Sequence, residues 1–302
     1  MKNTYIIIVT YNAMRRSWID RCIQSIREST VAATSIVIDN GSTDGTRDYV
    51  PQAFPEVVWL PQDRNLGFGQ ANNIGIRYAL EHQADYVLLL NQDARLHPNA
   101  LGCLIQADDG KSLLSPIQLN GDSTSLDGMF KKTLCLADNK LFDDLITGKE
   151  LKNSYATERF AAACWFLPIQ IINTVGGFNP LFFHYGEDDN YYFRTKYFGF
   201  DTRIVTHAVM YHDRGLHGDN ELFNNHAVRR DLLNIFCDIN NSFSKSLIKW
   251  ANQLVRCYYN YSRQRSSYRP GAFTCESFWT AFHVSAIIKS RRKEKQKGLT
   301  WL

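Results

Sequence analysis

Several apolar runs in this chain end abruptly in side chains that can do chemistry. Asp93 follows the run "YVLLLNQ", and His212 ends the run "DTRIVTHAVMYH". A carboxylate suits hard divalent cations such as Mg²⁺, whereas an imidazole suits Mn²⁺ better. One interpretation is that the two side chains bind a single metal ion. The structural alternative is that Asp93 caps a turn and His212 is a strand-end histidine with satisfied hydrogen bonds.

A second candidate is the run of three acids Glu187, Asp188 and Asp189, which opens a predicted helix that Gly199 ends. A positioned carboxylate can act as a general base, an effect of about 10²- to 10⁴-fold on rate. Acids at a helix N-terminus are also favoured by the helix dipole alone. We expect at least one of the three to have only that structural role.

The elements that must position these groups follow a regular alternation. Strand-like runs at 4–12, 34–45, 56–62 and 85–93 are separated by helical patterns, the first with Ser17 as its expected N-cap. The order β-α-β-α-β-α-β predicts right-handed crossovers and a mainly parallel α/β sheet. Ligands of such sheets bind beyond the carboxyl ends of the strands. The polar residues at these ends should therefore converge.

The second half of the chain has a less regular pattern. Residues 110–155 have weak periodicity, and we expect loops and short strands that elaborate the site. A helix is predicted over Glu187 to Phe198, followed by a strand that ends at Tyr211 and His212. Helices that mix basic and aromatic residues complete the chain.

The composition excludes several classes. The chain has 302 residues, of which 44% are hydrophobic, and no apolar run approaches the ~20 residues of a membrane span. The start "MKNTYIIIVTYN" does not resemble a signal peptide, and seven scattered cysteines favour reduced thiols. We therefore expect a cytoplasmic protein, with peripheral attachment at the inner face of the cell membrane as the alternative.

Six motifs, in order, resemble the family 2 glycosyltransferases, which are inverting enzymes of the GT-A (Rossmann-like) fold. They are the strand ending in "TYN", then "VIDNGSTDGT", "NLGFGQANNIGIRYA", "LLLNQDARL", "VGGFNPLFFHYGEDDNYYFR" and "MYHDRG". Bacterial enzymes of cell-surface polysaccharide synthesis, including rhamnosyltransferase-like members, are the most similar. The resemblance implies a nucleotide-diphosphate sugar donor, a divalent metal (Mn²⁺ or Mg²⁺) and an acidic general base.

The resemblance also implies roles for individual residues. Asp188 matches the catalytic base, with Glu187 as the alternative base or as a group that orients the acceptor, while Asp189 is expected to be structural. Asp93 matches the last acid of the metal-binding DxD motif, and His212 matches a histidine that joins the metal in some members. The predicted donor-binding residues are Thr10, Tyr11, Asn12, Asp39, Asn65, Gly67, Asn73 and Asn91.

The function expected on this basis is transfer of a sugar from a UDP- or dTDP-sugar to a hydroxyl of a glycan or lipid-linked acceptor. One departure is that Asn91 replaces the first acid of the DxD motif, and an amide is a poorer ligand for a hard cation. A catalytically inactive nucleotide-sugar-binding module is therefore one alternative. A sugar nucleotidyltransferase is another, although "TYNAMRRSW" after the first strand lacks the glycine-rich phosphate loop of that class.

The charge distribution divides the chain. Residues 241–302 contain 12 Lys or Arg and 2 Asp or Glu, while residues 1–240 are net acidic. We expect a catalytic domain over 1–240, with a nucleotide-sugar half at about 1–110 and an acceptor half at about 111–240, and a helical C-terminal extension over 241–302. Basic residues mixed with aromatic residues suit an anionic membrane surface. A helical extension or oligomer contact is the alternative, and no nucleic-acid partner is expected.

Overall fold

The computed structural model describes residues 2–136, 140–213, 222–262 and 270–302. In this part of the chain, nine strands form one sheet in the order β3-β2-β1-β4-β8-β6-β9-β5, and β7 pairs with β9. The strands are β1 (Thr4–Thr10), β2 (Thr34–Asp39), β3 (Val58–Pro61), β4 (Tyr86–Asn91), β5 (Ala94–Leu96), β6 (Ser112–Asn120), β7 (Ser154–Ala156), β8 (Cys164–Pro168) and β9 (Asp201–His212).

The helices of the described residues pack on both faces of the sheet and on one another. They are α1 (Trp18–Arg27), α2 (Thr46–Ala53), α3 (Phe68–Glu81), α4 (Ala100–Gln106), α5 (Gly128–Leu136), α6 (Lys140–Ile146), α7 (Ile169–Val175), α8 (Glu187–Tyr197), α9 (Leu222–Cys237), α10 (Phe243–Ser262), α11 (Pro270–Phe282) and α12 (Val284–Glu294).

The first four strands are parallel, as predicted. β1 pairs with β2 and with β4, so that Thr10 lies opposite Asp39 and Val9 lies opposite Asn91. Their side chains alternate between the two apolar cores: Ile6 packs in the core that contains α1, and Ile7 packs in the core that contains α3. Burial on both faces explains why these strands are apolar throughout.

The sheet as a whole is mixed, because antiparallel pairs enter in its second half. β4 and β6 each pair antiparallel with β8, and β5 and β7 each pair antiparallel with β9. β6 pairs in parallel with β9. The long strand β9 thereby brings its last residue, His212, back beside the end of β4.

The structure corrects two local predictions. Ser17 occupies the N-cap position of α1 but makes no capping hydrogen bond with its side chain, because it ends a 3-10 turn in which Arg16 and Ser17 both have positive φ (57° and 50°). Residues 110–155 are not mainly loops, since they contain the nine-residue strand β6 and the helices α5 and α6. β6 mixes apolar residues with the buried polar residues Ser112, Ser115 and Gln118 and lies between β8 and β9, a tertiary environment that sequence periodicity does not reveal.

The C-terminal helices do not form a detached tail. Trp250 and Trp279 are partly buried and pack within the bundle that α9 to α12 form, rather than facing outward. Arg291 of α12 is buried and donates hydrogen bonds to the carbonyls of Phe236, Asp238 and Asn241, which follow or end α9. Three further arginines of this region, Arg263, Arg265 and Arg269, lie outside the described residues.

A buried ion pair joins α12 to α8. Arg194 of α8 is fully buried and donates to the carbonyls of Val175 (2.9 Å) and Gly177 (2.6 Å). Its Nε lies 3.7 Å from Glu294 of α12, and Glu294 also accepts a hydrogen bond from Asn179 at 2.7 Å. Because α8 begins with Glu187 and Asp188, this network fixes the helix on which the candidate catalytic acids stand.

Replacing Arg194 by Met should lower the free energy of unfolding by about 3–5 kcal/mol, because the variant leaves the charge of Glu294 buried without its partner. Denaturant unfolding followed by circular dichroism measures the loss. Lys196→Met is the matched control, since Lys196 is on the same helix but exposed, and it should shift stability by less than about 0.5 kcal/mol. Equal stability of the two variants would contradict the structural role of Arg194.

Candidate functional site

A cleft of about 980 Å³ opens at the carboxyl ends of β1, β2 and β4. Its lining comes from four parts of the chain, namely the residues after β1, the loop after β2, the loop before α3 and the end of β4. The segment Phe183 to Tyr185, just before α8, closes one side. The cleft therefore lies where a ligand is expected to bind a sheet of this topology.

Of the residues predicted at the end of β1, Tyr11 and Asn12 line the cleft, whereas Thr10 does not. The Asn12 backbone N–H donates to Ser42 Oγ (2.8 Å), and its side-chain oxygen accepts from the Thr43 N–H (2.9 Å). Asn12 has a φ of 52°, a left-handed conformation that asparagine tolerates better than most residues. These bonds tie the end of β1 to the loop that follows β2.

The structure does not bring Asp39 or Thr10 to the cleft surface, because both are fully buried. The Asp39 carboxylate accepts from the Ser42 N–H at 3.3 Å, and the Thr10 hydroxyl lies 3.5 Å from Asp39 Oδ1. Their role in the structure is to order the loop beneath the cleft. Asn40 and Asp44 of this loop do line the cleft. The sequence reasoning missed both, although they stand in the quoted motif "VIDNGSTDGT".

Asn65 and Gly67 line the cleft as predicted. Asn65 Oδ1 accepts hydrogen bonds from the Asn40 side chain (3.0 Å) and from the Gly67 N–H (2.8 Å). Gly67 has a φ of 82°, and a Cβ at this position would lie 1.8 Å from the carbonyl oxygen of Phe183. Only glycine fits here, so the loop before α3 packs directly on the segment before α8.

Asn73, also predicted to contact the donor, lies elsewhere. Its side-chain NH₂ donates to the Phe178 carbonyl (2.8 Å), and its oxygen accepts from the Phe178 N–H (2.6 Å). The residue is buried and absent from the cleft lining. Its amide instead secures α3 to the chain after α7. The sequence indicated that Asn73 is a polar residue of a helix, but it did not indicate which part of the fold the side chain contacts.

The structure brings Asp93, Asn91 and His212 together at one end of the cleft. Ala94 pairs with His212 across β5 and β9, which places Asp93 Oδ1 3.2 Å from His212 Nε2. The side-chain nitrogen of Asn91 lies 3.5 Å from the same ring nitrogen. Asp93 and Asn91 line the cleft, and His212 is buried behind them.

A third acid stands behind the histidine. Asp127 Oδ2 lies 3.4 Å from His212 Nδ1, on the side of the ring away from Asp93. Asp127 Oδ1 accepts hydrogen bonds from the backbone N–H groups of Met129 and Phe130, both at 3.0 Å, so Asp127 also caps α5. A carboxylate behind an imidazole is the usual arrangement that orients a metal-binding histidine. Sequence reasoning missed Asp127 because α5 itself was not predicted.

The donor set fits a divalent ion that is shared with a bound ligand. Two protein ligands of one Mg²⁺ or Mn²⁺ ion lie about 3 Å apart when each is about 2.1 Å from the metal, and Asp93 and His212 match this separation. Within the described residues, no group of three or more His, Cys, Asp or Glu side chains is arranged to hold a metal by itself. The remaining ligands would have to come from oxygen atoms in the cleft.

The acids at the start of α8 occupy an unusual environment. Burial, reinforced by the neighbouring negative charges, raises the pKa of both Glu187 and Asp188 above the usual range of a carboxyl group. Glu187 Oε2 is buried without a hydrogen-bond partner among the described residues. Asp189 is bound by Arg159 (2.6 Å) and Asn234 (2.9 Å), which agrees with the structural role expected for it.

Glu187 and Asp188 do not themselves line the cleft, but they directly follow the segment that does. Gly186, with a φ of 90°, turns the chain from that segment into α8. Glu187 also lies beside α3, because a Cβ on Gly69 would contact Glu187 Cβ at 3.5 Å. Carboxyl groups whose pKa is raised by burial beside a cleft are typical of functional sites.

Comparison with known proteins matches residues 5–115 to the family model "Glycosyl transferase family 2". The chain is 28% identical over 125 residues to the dTDP-rhamnosyl transferase RfbF of Shigella flexneri, a match that covers 40% of each protein. It is 32% identical over 111 residues to the N-acetylglucosaminyl-diphospho-decaprenol L-rhamnosyltransferase of Mycobacterium tuberculosis, covering 34% of this chain and 36% of the other. The chain thus spans about two fifths of the length of these two curated relatives.

Among solved structures, the mannosyltransferase PcManGT of Pyrobaculum calidifontis, in complex with GDP-Man and Mn²⁺, superposes with a TM-score of 0.58. The superposition covers 97% of this chain and 86% of that one, at 15% sequence identity. At this identity the likeness shows the fold alone.

Asp127→Asn should weaken Mn²⁺ binding about 10- to 100-fold, the usual effect of removing a residue that orients a metal-binding histidine. Asparagine caps helices about as well as aspartate, so α5 should persist. The NH₂ group of the asparagine in the variant would donate to His212 Nδ1. The ring proton of His212 would then lie on Nε2, and this nitrogen would no longer be free to bind the metal. Titration of Mn²⁺ with UDP present, followed by the electron paramagnetic resonance of the free ion, measures the change.

The control for this prediction is Asp122→Asn, the same change in an exposed turn nearby, where Asp122 bonds only locally to Thr124. Circular dichroism of both variants checks that helix content is retained. Unchanged Mn²⁺ affinity in Asp127→Asn would contradict the positioning role of Asp127.

Proposed function

We propose that the protein is an inverting, metal-dependent glycosyltransferase of cell-surface polysaccharide synthesis. The match of residues 5–115 to the model "Glycosyl transferase family 2" and the GT-A fold of the chain support this proposal. The donor is a UDP- or dTDP-sugar, and the acceptor is a hydroxyl of a glycan or of a lipid-linked glycan. The observation that carries the proposal is the meeting of Asp93 and His212 at the inner end of the cleft.

The cleft has the parts that a nucleotide-sugar needs. The diphosphate is placed at the end with Asp93 and His212, where a divalent ion would neutralise the charge that develops on the leaving group. The nucleoside is placed between the loop that contains Asn40 and Asp44 and the loop that contains Asn65 and Gly67. The side chains of Tyr11 and Phe68 add apolar surface for the base.

The reaction forms a bond between the acceptor oxygen and the anomeric carbon of the sugar while the bond from that carbon to the diphosphate breaks. Attack from the face opposite the leaving group inverts the configuration. Asp188 accepts the proton of the acceptor hydroxyl, and the raised pKa of its carboxyl makes it a stronger base than an ordinary aspartate. Glu187, beside it, orients the acceptor.

Two observations favour these substrate classes. One relative is by name a dTDP-rhamnosyl transferase, and the other by name acts on a diphospho-decaprenol, a lipid carrier. Phe183 and Tyr185 stand exposed at the rim of the cleft and offer aromatic surface to an acceptor. The GDP-Man of the structural neighbour shows that the fold accepts purine nucleotides as well, so the choice of a pyrimidine donor rests on the relatives.

A catalytically inactive nucleotide-sugar-binding module is the second candidate. The observation that favours it is Asn91, an amide beside the candidate metal position where a carboxylate would bind a hard cation more tightly. Among the described residues, no structural feature favours the sugar nucleotidyltransferase considered from the sequence.

A panel of nucleotides tests the proposal. In a thermal-shift assay with Mn²⁺, UDP or dTDP should raise the melting temperature more than GDP, ADP or CMP, because only bound ligand stabilises the fold by mass action. Slow Mn²⁺-dependent hydrolysis of the matching donor sugar should accompany binding. Binding without any hydrolysis or transfer would favour the inactive module, and no stabilisation by any nucleotide would contradict both candidates.

Asp188→Asn should lower kcat by at least ~10²-fold while donor binding is retained. In the wild type, kcat should rise with pH through the raised pKa of Asp188, because only the deprotonated carboxylate accepts the proton. The residual activity of the variant should lack this rise. Sugar-transfer assays that are quenched at fixed times over a series of pH values measure kcat. Thermal shifts with the donor measure its affinity for each variant.

Glu187→Gln is the companion variant. We expect it to raise the KM for acceptor and to keep the pH-dependent rise of kcat. If Glu187→Gln is the inactive variant and Asp188→Asn remains active, the roles of the two acids are exchanged.

A further inference from the structure

The helix α10 has two apolar sides, only one of which is buried. Trp250, Leu254 and Cys257 face the bundle core. On the outer side, Ile248 and Val255 lie two turns apart and are 62% and 67% exposed. A surface helix of a soluble protein normally carries polar residues on its outer side.

The neighbouring helix α11 repeats this arrangement. Phe278 and Phe282, one turn apart, are 63% and 84% exposed. Single exposed apolar residues are normal on a protein surface, but two adjacent helices with exposed large side chains form a patch that requires an explanation.

The two exposed sets face the same way. Trp250 bonds to Ser277 (3.1 Å) and Tyr258 to Thr274 (3.4 Å), so the helices run antiparallel along a shared seam. Successive residues of an α-helix are rotated by about 100° about the helix axis. On both helices the exposed side chains lie roughly a quarter turn from the seam, in the same rotational sense when each helix is viewed from its N-terminus. Two antiparallel helices are related by a two-fold axis perpendicular to the plane that contains them, and this operation preserves the sense of rotation about each helix. The exposed side chains of α10 and α11 therefore point to the same side of that plane.

The exposed charged side chains beside the patch on α10 are basic, while Glu276 of α11 is paired with Arg229 of α9. Lys245 and Arg256 are exposed and lie on the edge of α10 away from α11. From Ile239 to Cys275 the sequence has six Lys or Arg and no Asp or Glu. The patch therefore combines apolar side chains with a basic margin, the composition of a helix that lies in the headgroup region of an anionic membrane.

We propose that α10 and α11 form a membrane-docking surface, with Ile248, Val255, Phe278 and Phe282 inserted among the headgroups of an anionic bilayer and Lys245 and Arg256 at the phosphate level. None of the described helices has both the length and the apolar character to cross a bilayer, so contact is at the interface. The suggestion that this surface brings the enzyme to a lipid-linked acceptor rests on the proposed function. Binding of the surface to an anionic membrane does not depend on that function.

A second copy of the chain is a poorer occupant of the same patch. A two-fold dimer whose axis runs across the helices would bring the basic margin against the same margin of the partner, with like charges opposed. An anionic bilayer instead complements the margin. Each basic side chain near such a surface strengthens binding about fivefold, and salt screens the effect.

Flotation with lipid vesicles tests the proposal. The full chain should bind vesicles that contain about 30% phosphatidylglycerol at low salt, bind neutral phosphatidylcholine vesicles weakly, and dissociate in about 1 M salt. Phe278→Ser with Phe282→Ser should lower the partition coefficient at least about tenfold, because each Phe loses its apolar contact with the lipid. Lys245→Gln with Arg256→Gln should lower it on anionic vesicles only.

Ile146→Ser is the matched control, because Ile146 is also 84% exposed but lies on α6, far from this surface in the sequence. It should bind vesicles as the wild type does. Asp188→Asn should also bind normally, and the double Phe variant should retain donor hydrolysis, so that failure of docking and failure of catalysis are separable.

Three results would overturn the proposal. The first is no binding of the wild type to anionic vesicles at low salt. The second is an equal loss of binding in Ile146→Ser and in the double Phe variant. The third is an oligomer, detected by sedimentation velocity without lipid, that dissociates in the double Phe variant, since the patch would then be an interface between copies.

Discussion

The parallel pairing of β1 with both β2 and β4 is the constraint on which the rest of the structure depends. Side chains alternate between the two faces of a strand. A register shift of one residue would therefore move Ile7 into the core that holds Ile6, and would move each remaining side chain of the strand to the opposite face. The observed register is continuous over both pairings, from Tyr5 with Thr34 to Thr10 with Asp39 and from Thr4 with Tyr86 to Val9 with Asn91. This register places the ends of the three strands side by side.

The long strand β9 adds what the parallel core lacks. It runs in parallel with β6 and then pairs antiparallel with β5, and this second pairing returns His212 to the end of β4. The imidazole is fixed from behind by Asp127, which is itself held by the start of α5. The candidate metal position is therefore assembled from three separate parts of the chain, each held rigidly by backbone pairing or a helix cap.

The opposite side of the cleft depends on α8, which is secured mainly through buried polar contacts. Arg194 and Glu294 connect α8 to α12, so the C-terminal helices support the helix that begins with Glu187 and Asp188. At the other end of α8, burial holds Glu187 and Asp188 in a medium that penalises their charge. Such a site opposes folding at neutral pH, and natural proteins retain it where the chemistry needs it.

The sequence by itself determined the features that depend on neighbours in the chain. The apolar runs predicted β1, β2 and β4. The resemblance in six ordered motifs predicted the confirmed fold, and the model "Glycosyl transferase family 2" matches residues 5–115. The residues at the strand ends predicted where the cleft would open. Only the tertiary structure decided which polar residues reach that cleft. Asp39 and Asn73 satisfy buried backbone groups, whereas Asn40 and Asp44 line the cleft. The tertiary structure also decided that Asp127 lies behind His212. It decided that Trp250 packs within the C-terminal helix bundle, whereas Phe282 is exposed on its surface. The physical reason is that hydrogen-bond partners and buried faces are set by residues far away in the sequence, which a local pattern does not contain.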